Sequence, residues 1–374
     1  MNIGFITTSS ADFGIYLSLI KKMNATSGFK TYVFVGGMHL VKKFGYTYKQ
    51  IESQGVKIAE KINSLKDGDS SKSIAESMGI TTSKFSKVWA KYKYKLDMVF
   101  VLGDRFEMLA AASSIVPFNI PLVHLHGGET TLGALDEKYR HALSSLSDIH
   151  FTSHKKYAER VSQIKGSAKH VFNVGSLAVD ALLKGDFLNK KEFQQKFNFD
   201  LSEPFVLTTY HPETAESGKN KVNIQELIKS LAKLSEKVLI TLPNADQESS
   251  ILREAFLNFE KKYPQKVSCY ENLGQKGYYA AMKYCTLMVG NTSSGIIEAA
   301  SLNTVCVNVG SRQEGRIHGK NVIHADNTAA SLDKAIEKAR KLRGKKYTNP
   351  YGKGNTAETI IKELKRITLT KEFN

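Results

Sequence analysis

Cysteine is scarce in this chain, with only Cys269, Cys285 and Cys306 in 374 residues. All three sit within or beside apolar runs and none forms a CxxC pair. That excludes a disulfide framework and leaves small buried residues in a reducing compartment. His, Asp and Glu show no clustered metal-ligand spacing, and the GxGxxG dinucleotide fingerprint is missing, so neither a metal nor any other cofactor is expected. Long hydrophobic runs are lacking too. No stretch approaches the length of a bilayer span, and the start, MNIGFITTSS, has neither the basic region nor the long apolar run of a signal peptide. A cytoplasmic protein without a membrane partner is expected. Acidic residues are outnumbered, which gives a net charge of +17. Arginine is nonetheless sparse, the lysines are spread along helix faces such as 334–343, and no basic aromatic signature of RNA binding occurs. The charge therefore reads as a solvated surface, and nucleic acid is not expected as a partner.

What is present is a regular alternation. With 41% hydrophobic and 24% charged residues the composition is that of a soluble globular protein, and the length suits two or three domains. Short apolar runs read as buried parallel strands at Ile3–Thr7, Thr31–Gly36, Val56–Ile62, Met98–Leu102, Pro121–Leu125, Ile149–Thr152 and His170–Val174. Helical patterns lie between them, and the lysine-rich segment Ser70–Tyr94 reads as a solvent-facing helical hairpin. The polar stretch Lys184–Glu203 marks a boundary between two similar α/β units. Strands resume at Phe205–Tyr210, Lys237–Leu242, Val267–Tyr270, Leu287–Gly290 and Val305–Val309, and helices at Ala329–Leu342 and Ala357–Ile367 close the chain.

In open α/β sheets ligands bind beyond the carboxyl ends of the strands. Asp104, His126 and Glu129 all follow strand ends, and Gly127-Gly128 suits a close approach of backbone to a ligand. Asp104 also suits a helix cap. Asp136 and Arg140, four residues apart, suit either chemistry or a helix ion pair worth roughly 0.2–0.5 kcal/mol. Thr8–Gly14 and Asn291–Gly295 are small, hydroxyl-rich loops between a strand and a helix, an arrangement that holds anions on unpaired N–H groups. His39 and His211 stand at strand ends. Arg312 and Arg316 lie in a glycine-punctuated loop suited to planar recognition of phosphate oxygens.

The segments GDRFE, HLHGGE, LDEKYRHALS, TYHPET, NTSSGIIEAASL and SRQEGRIHGKNV, in this order, resemble the hydrolysing UDP-N-acetylglucosamine 2-epimerases of sialic-acid and related nonulosonic-acid synthesis. The resemblance runs from about residue 3 to about residue 365. It implies two Rossmann-like domains facing across a cleft, the glycosyltransferase-B arrangement, with residues 1–183 and the closing helix 355–368 on one side and 184–354 on the other. It implies catalytic carboxylates at Asp104 and Asp136, a substrate-contacting arginine at Arg140 and a cleft histidine at His39. It implies, further, that His211 meets the diphosphate or the sugar, Ser293 and Ser294 touch phosphate, and Glu298 accepts the ribose hydroxyls. His126 and Glu129 complete the expected acid-base set, and Asn291, Thr292, Gly295, Arg312 and Arg316 the expected substrate-binding set. The expected reaction takes UDP-N-acetylglucosamine and water to N-acetylmannosamine and UDP, in a homodimer. The same reaction on a UDP-2,4-diacetamido-2,4,6-trideoxy sugar, and glycosyl transfer, are the alternatives. The HGGETT and YHPET segments stand where non-hydrolysing epimerases resemble EAGLRT and GHRRE, which favours release of a free sugar. One departure is Ser10, where relatives usually carry an arginine that reaches the diphosphate.

Overall fold

The structure, a computed structural model, describes residues 1–216 and 218–369. The apolar runs form two wholly parallel sheets. The first contains β1 (Asn2–Thr7), β2 (Lys30–Gly36), β3 (Ile58–Ile62), β4 (Met98–Leu102), β5 (Leu122–Leu125), β6 (Ile149–Thr152) and β7 (Val171–Asn173), in the order β3-β2-β1-β4-β5-β6-β7. The second contains β8 (Phe205–Thr209), β9 (Lys237–Thr241), β10 (Val267–Tyr270), β11 (Leu287–Gly290), β12 (Cys306–Val309) and β13 (Val322–Ala325), in the order β10-β9-β8-β11-β12-β13. In each sheet the chain winds outward from a central strand, returns, and winds the other way. This leaves a crevice where the direction reverses. The reversal lies between β1 and β4 in one sheet and between β8 and β11 in the other. The two sheets face each other there, in the glycosyltransferase-B arrangement.

Helices cover both faces, so the central strands are buried and largely apolar. Phe5 of β1 stacks on Phe100 of β4 at 4.9 Å between ring centroids, and both are fully buried. The final helix, Thr356–Leu369, adds Ile360, Leu364 and Ile367 to this first core, far from its neighbours in sequence. It is held where the chain crosses between the halves for the second time. The Asp180 carboxylate accepts from the backbone N–H groups of Thr356 and Ala357 at 3.0 and 2.8 Å, and Ser176 N–H donates to Tyr351 C=O at 2.8 Å. The two crossings, near 176–180 and 351–357, are thus stitched side by side.

The structure corrects one sequence expectation and adds two elements to it. Residues 71–92 form one continuous helix of 22 residues, not a hairpin, because no turn-forming pair interrupts it and Ser77, Thr81, Phe85, Val88 and Trp89 make one buried stripe. The strand β13 was not foreseen, since its apolar run is only two residues, Val322-Ile323, before the exposed His324. The stretch 184–203 is more than a polar link. It contains the helix Lys190–Phe197, whose Phe193 is fully buried in an apolar cluster shared with the second sheet.

Candidate functional site

The cavity between the sheets has a volume of about 310 Å³ and is lined by the loops that follow β1, β2, β4 and β5 on one side and β8, β9, β10, β11 and β12 on the other. Asp104 and Arg105 come directly off β4, after Gly103, which has the left-handed φ of 69° needed to turn the chain out of the sheet. His126 comes directly off β5 and has φ 62°, an unusual backbone conformation for a residue with a side chain. Asp136 starts the helix Asp136–Leu146 at the cavity wall. Opposite them stand His211 after β8, Thr292, Ser293, Ser294 and Glu298 after β11, and Arg312 and Arg316 after β12.

Four guanidinium groups organise this space. Arg140 is buried and donates to the Asp104 carboxylate, to Glu129 C=O at 2.8 Å and to Thr131 Oγ1 at 3.3 Å. The Asp136–Arg140 helix pair, one of the two readings of that spacing, does not form. Arg140 turns inward to Asp104, which leaves Asp136 facing the cavity, and Asp104 in turn caps no helix. Arg316 reaches across the cleft to Glu129. Glu129, fully buried, also accepts from His126 Nδ1 at 2.6 Å and Ser153 Oγ at 2.5 Å. Burial alone would raise its pKa, but Arg316 and His126 outweigh that and hold the carboxyl well below the usual range. With both oxygens engaged, Glu129 orients His126 and Arg316 and is not free to take a proton from a ligand. Arg105 pairs with Glu107 at 3.1 Å and, across the cleft, with Asp246 at 3.3 Å. Arg312 completes the set, 3.9 Å from Asp246.

Asp136, Glu298 and His211, which face the cavity, are displaced from their ordinary values. Burial, with the Asp246 charge adding to it, pushes the Asp136 carboxyl upward against Arg312 and Arg105. Burial raises Glu298 to about 7, with His126 and Arg316 opposing. Burial beside Arg312 lowers His211 to about 3, so its imidazole is neutral. The result is a cleft with Asp104, His126 and Asp136 beside Arg105 and Arg140 on one wall, and Arg312, Arg316, His211, Glu298 and the hydroxyl groups on the other.

The family described as UDP-N-acetylglucosamine 2-epimerase matches residues 21–365. The chain belongs to this UDP-N-acetylglucosamine 2-epimerase family. Among curated members, the GDP/UDP-N,N'-diacetylbacillosamine 2-epimerase (hydrolyzing) of Campylobacter jejuni is 38% identical over 337 residues, 90% of this chain and 86% of the relative. The UDP-N,N'-diacetylbacillosamine 2-epimerase (hydrolyzing) of Legionella pneumophila is 32% identical over 99% of this chain and 97% of the relative. A crystal structure of the Neisseria meningitidis UDP-GlcNAc 2-epimerase bound to UDP-GlcNAc matches with a TM-score of 0.81. It is 17% identical, over 98% of this chain and 100% of that one, which speaks for the fold alone.

Within this epimerase fold, not every residue singled out in the sequence reaches the cavity. His39 is fully buried between Thr7 Oγ1 at 2.9 Å and Thr47 Oγ1 at 2.7 Å, with its pKa lowered by burial to about 4. It braces the wall from behind. Asn291 grips both backbone groups of His211, accepting from its N–H at 2.7 Å and donating to its C=O at 2.8 Å, and so aims the histidine. Gly295 packs against Cys306, where a larger residue would strike β12. Gly127 and Gly128 face His124, Ser144 and Tyr157, so their smallness serves packing, not a ligand. The Thr8–Gly14 loop is no ready anion site, because the Asp12 carboxylate already accepts from the N–H groups of Thr8 and Ser9, each at 3.1 Å.

The sequence reading missed Arg105, Asp246, Glu213 and Gln313. Glu213 accepts from Ser311 N–H at 2.8 Å and Asn327 Nδ2 at 2.9 Å and thereby fixes the start of the arginine loop. Gln313 accepts from Arg316 at 2.7 Å and donates to Asn291 C=O at 2.8 Å. Arg105 and Glu213 lie in the GDRFE and YHPET segments, so position beside a strand end was the available signal.

Proposed function

We propose that the protein is a hydrolysing nucleotide-sugar 2-epimerase that takes a UDP-2-acetamido sugar and water to UDP and the free 2-epimer. The observation that carries this reading is the division of the cleft. Asp104, His126 and Asp136 face Arg312, Arg316, His211 and the Ser293–Ser294 helix start across one cavity. Residues 1–183 with 355–368 hold the reacting sugar, and residues 184–354 hold the nucleotide.

The proton on C2 of such a sugar has no adjacent carbonyl and is barely acidic, so its removal depends on stabilising the group that leaves C1. A base takes the C2 proton, the C1–C2 double bond forms, and the C1–O bond breaks with its electron pair departing on UDP. The arginines receive the growing diphosphate charge, and Glu298 accepts the ribose hydroxyls. Water then adds hydroxyl to C1 while a proton returns to C2 on the opposite face. Removal and return on different faces need at least two positioned groups, and Asp104, Asp136 and His126 supply them.

The names of the Campylobacter and Legionella relatives support a UDP-2,4-diacetamido-2,4,6-trideoxy sugar as the substrate, ahead of the UDP-N-acetylglucosamine expected from the sequence. The free product would feed nonulosonic-acid synthesis. No helix among the described residues is long and apolar enough to cross a membrane, and we place the enzyme in the cytoplasm as a homodimer. Incubation with each UDP-sugar in D2O, followed by NMR, tests the reading. UDP release and a 2-epimer carrying deuterium at C2 are expected. Retention of hydrogen at C2 would refute elimination, and transfer to an acceptor without C2 exchange would place the protein among glycosyltransferases.

A further inference from the structure

Asp246 lies in the loop between β9 and the helix Ser249–Lys262, and it is almost fully buried although it does not line the cavity. Its Oδ1 pairs with Arg105 of the opposite half at 3.3 Å. Its Oδ2 stands 3.9 Å from His211 Nδ1 and 3.9 Å from Arg312 Nη2. A buried carboxylate is costly unless paired, and here it is hydrogen-bonded to Arg105 of the opposite half, with the Arg312 guanidinium and the neutral His211 ring of its own half standing just beyond hydrogen-bond reach of Oδ2. The same loop grips the opposite half a second time at the outer lip. There Asp69 accepts from Ser250 N–H at 2.7 Å, and its C=O accepts from Glu248 N–H at 3.4 Å.

We propose that Asp246 is a positioning residue for the reaction, gathering Arg105 from across the cleft and His211 and Arg312 from its own half into one array beside Asp136. The proposal rests on the epimerase reading for its catalytic consequence, but not for its electrostatic one. Asp136 is faced by Asp246 from the β9 loop, by Arg312 from the β12 loop, by Arg105 from the β4 turn and by Tyr139 on its own helix. Only the first of the three charged neighbours favours a proton on Asp136. In the closed cleft the Asp246 charge and the arginines beside it set the surroundings of Asp136, while the bond at Asp69 holds only the outer lip. The loop is therefore a clasp that also tunes the group it closes over.

The test is the titration of Asp136 by NMR in protein labelled with carboxyl-¹³C aspartate, its signal assigned with Asp136→Asn. Asp246→Asn removes the negative charge and frees the two arginines, and both changes act in one direction. The Asp136 midpoint should fall, and the acid limb of kcat should move with it to lower pH while KM rises. Asp246→Glu should restore both. Asp69→Ala, which loosens only the outer lip, should raise KM and leave the acid limb in place. An unmoved Asp136 midpoint in Asp246→Asn that melts like the parent overturns the proposal. So does an equal shift in Asp69→Ala, which would assign the effect to closure and not to the Asp246 charge. Absence of turnover in the parent enzyme would count against the epimerase reading, and the titration would still decide the positioning role. If Asp246→Asn does not fold, the Asp246→Glu titration decides: a midpoint that follows the displaced carboxylate supports the role, and an unchanged one refutes it.

Discussion

Replacing Glu129 with glutamine keeps the volume of the side chain and removes one buried charge. The parent carboxylate is fully buried and serves three donors at once: Arg316 from the other half, His126 and Ser153. Removing one partner of a buried pair leaves the other charge uncompensated, at a cost of about 3–5 kcal/mol. Arg316 would then have only neutral amide oxygens, such as Gln313 Oε1, in place of its carboxylate. For halves of this size the melting temperature should fall on the order of 10 °C, measured by differential scanning fluorimetry at pH 7. The sign of the pH dependence is fixed. The folded-state pKa of Glu129 is depressed, so its contribution is complete above the unfolded value of roughly 4.3 and fades as pH falls below it. The gap between parent and variant should thus be constant near neutrality and shrink below about pH 4. A variant that melts within about 1 °C of the parent at pH 7 would mean that the Arg316–Glu129–His126 chain does not hold the cleft together.

Asp104→Asn and Asp136→Asn should each lower turnover by on the order of 10²-fold with little change in UDP affinity, read by a UDP-release assay and calorimetry; near-normal rates in both would return them to structural roles. Ser10 lines the cavity and accepts from Asn272 Nδ2 at 2.8 Å, while Lys21 and Lys22 are tied to Gln54 and Glu358 outside it. Ser10→Arg should therefore lower KM about tenfold, the gain of a charged hydrogen bond less the loss of a neutral one, and an unchanged or higher KM would refute the idea that this loop lacks a needed cation. With Glu298 titrating at about 7, UDP affinity should strengthen as pH rises from 6 to 8, and Glu298→Gln should remove that component of the pH dependence; an identical profile in the variant would detach Glu298 from nucleotide binding.

Most of the fold was readable because buried parallel strands are short apolar runs and their ends carry the unusual residues. The sequence announces Asp104, His126 and His211 by that placement alone, and the cavity receives all three. It cannot announce partners. Arg140 has a carboxylate four residues away on its own helix, yet pairs with Asp104 from β4, because tertiary packing turns it inward. Asp246, in a run of Asn, Ala, Gln and Ser, has no local signal, since its meaning lies in distances across a cleft. Glycine was misread for the converse reason: Gly127, Gly128 and Gly295 are small because of what packs on them, which only the folded chain reveals.

The stitched crossings bear on how the cleft moves. Two peptide segments joined by a single flexible tether could swing and twist in any direction. Here the outward passage near Ser176 and the return near Tyr351 are bonded to one another, and Asp180 fastens the start of the last helix between them. Such a seam resists twist and sideways slip and yields by bending along its own line, as the spine of a book does. The lip at Asp69 and Ser250, which carries its own bond across the gap, is then the edge that parts to admit substrate. Bending along that line is the motion the seam resists least, and the cross-cleft pairs Arg316–Glu129 and Arg105–Asp246 are what it would part.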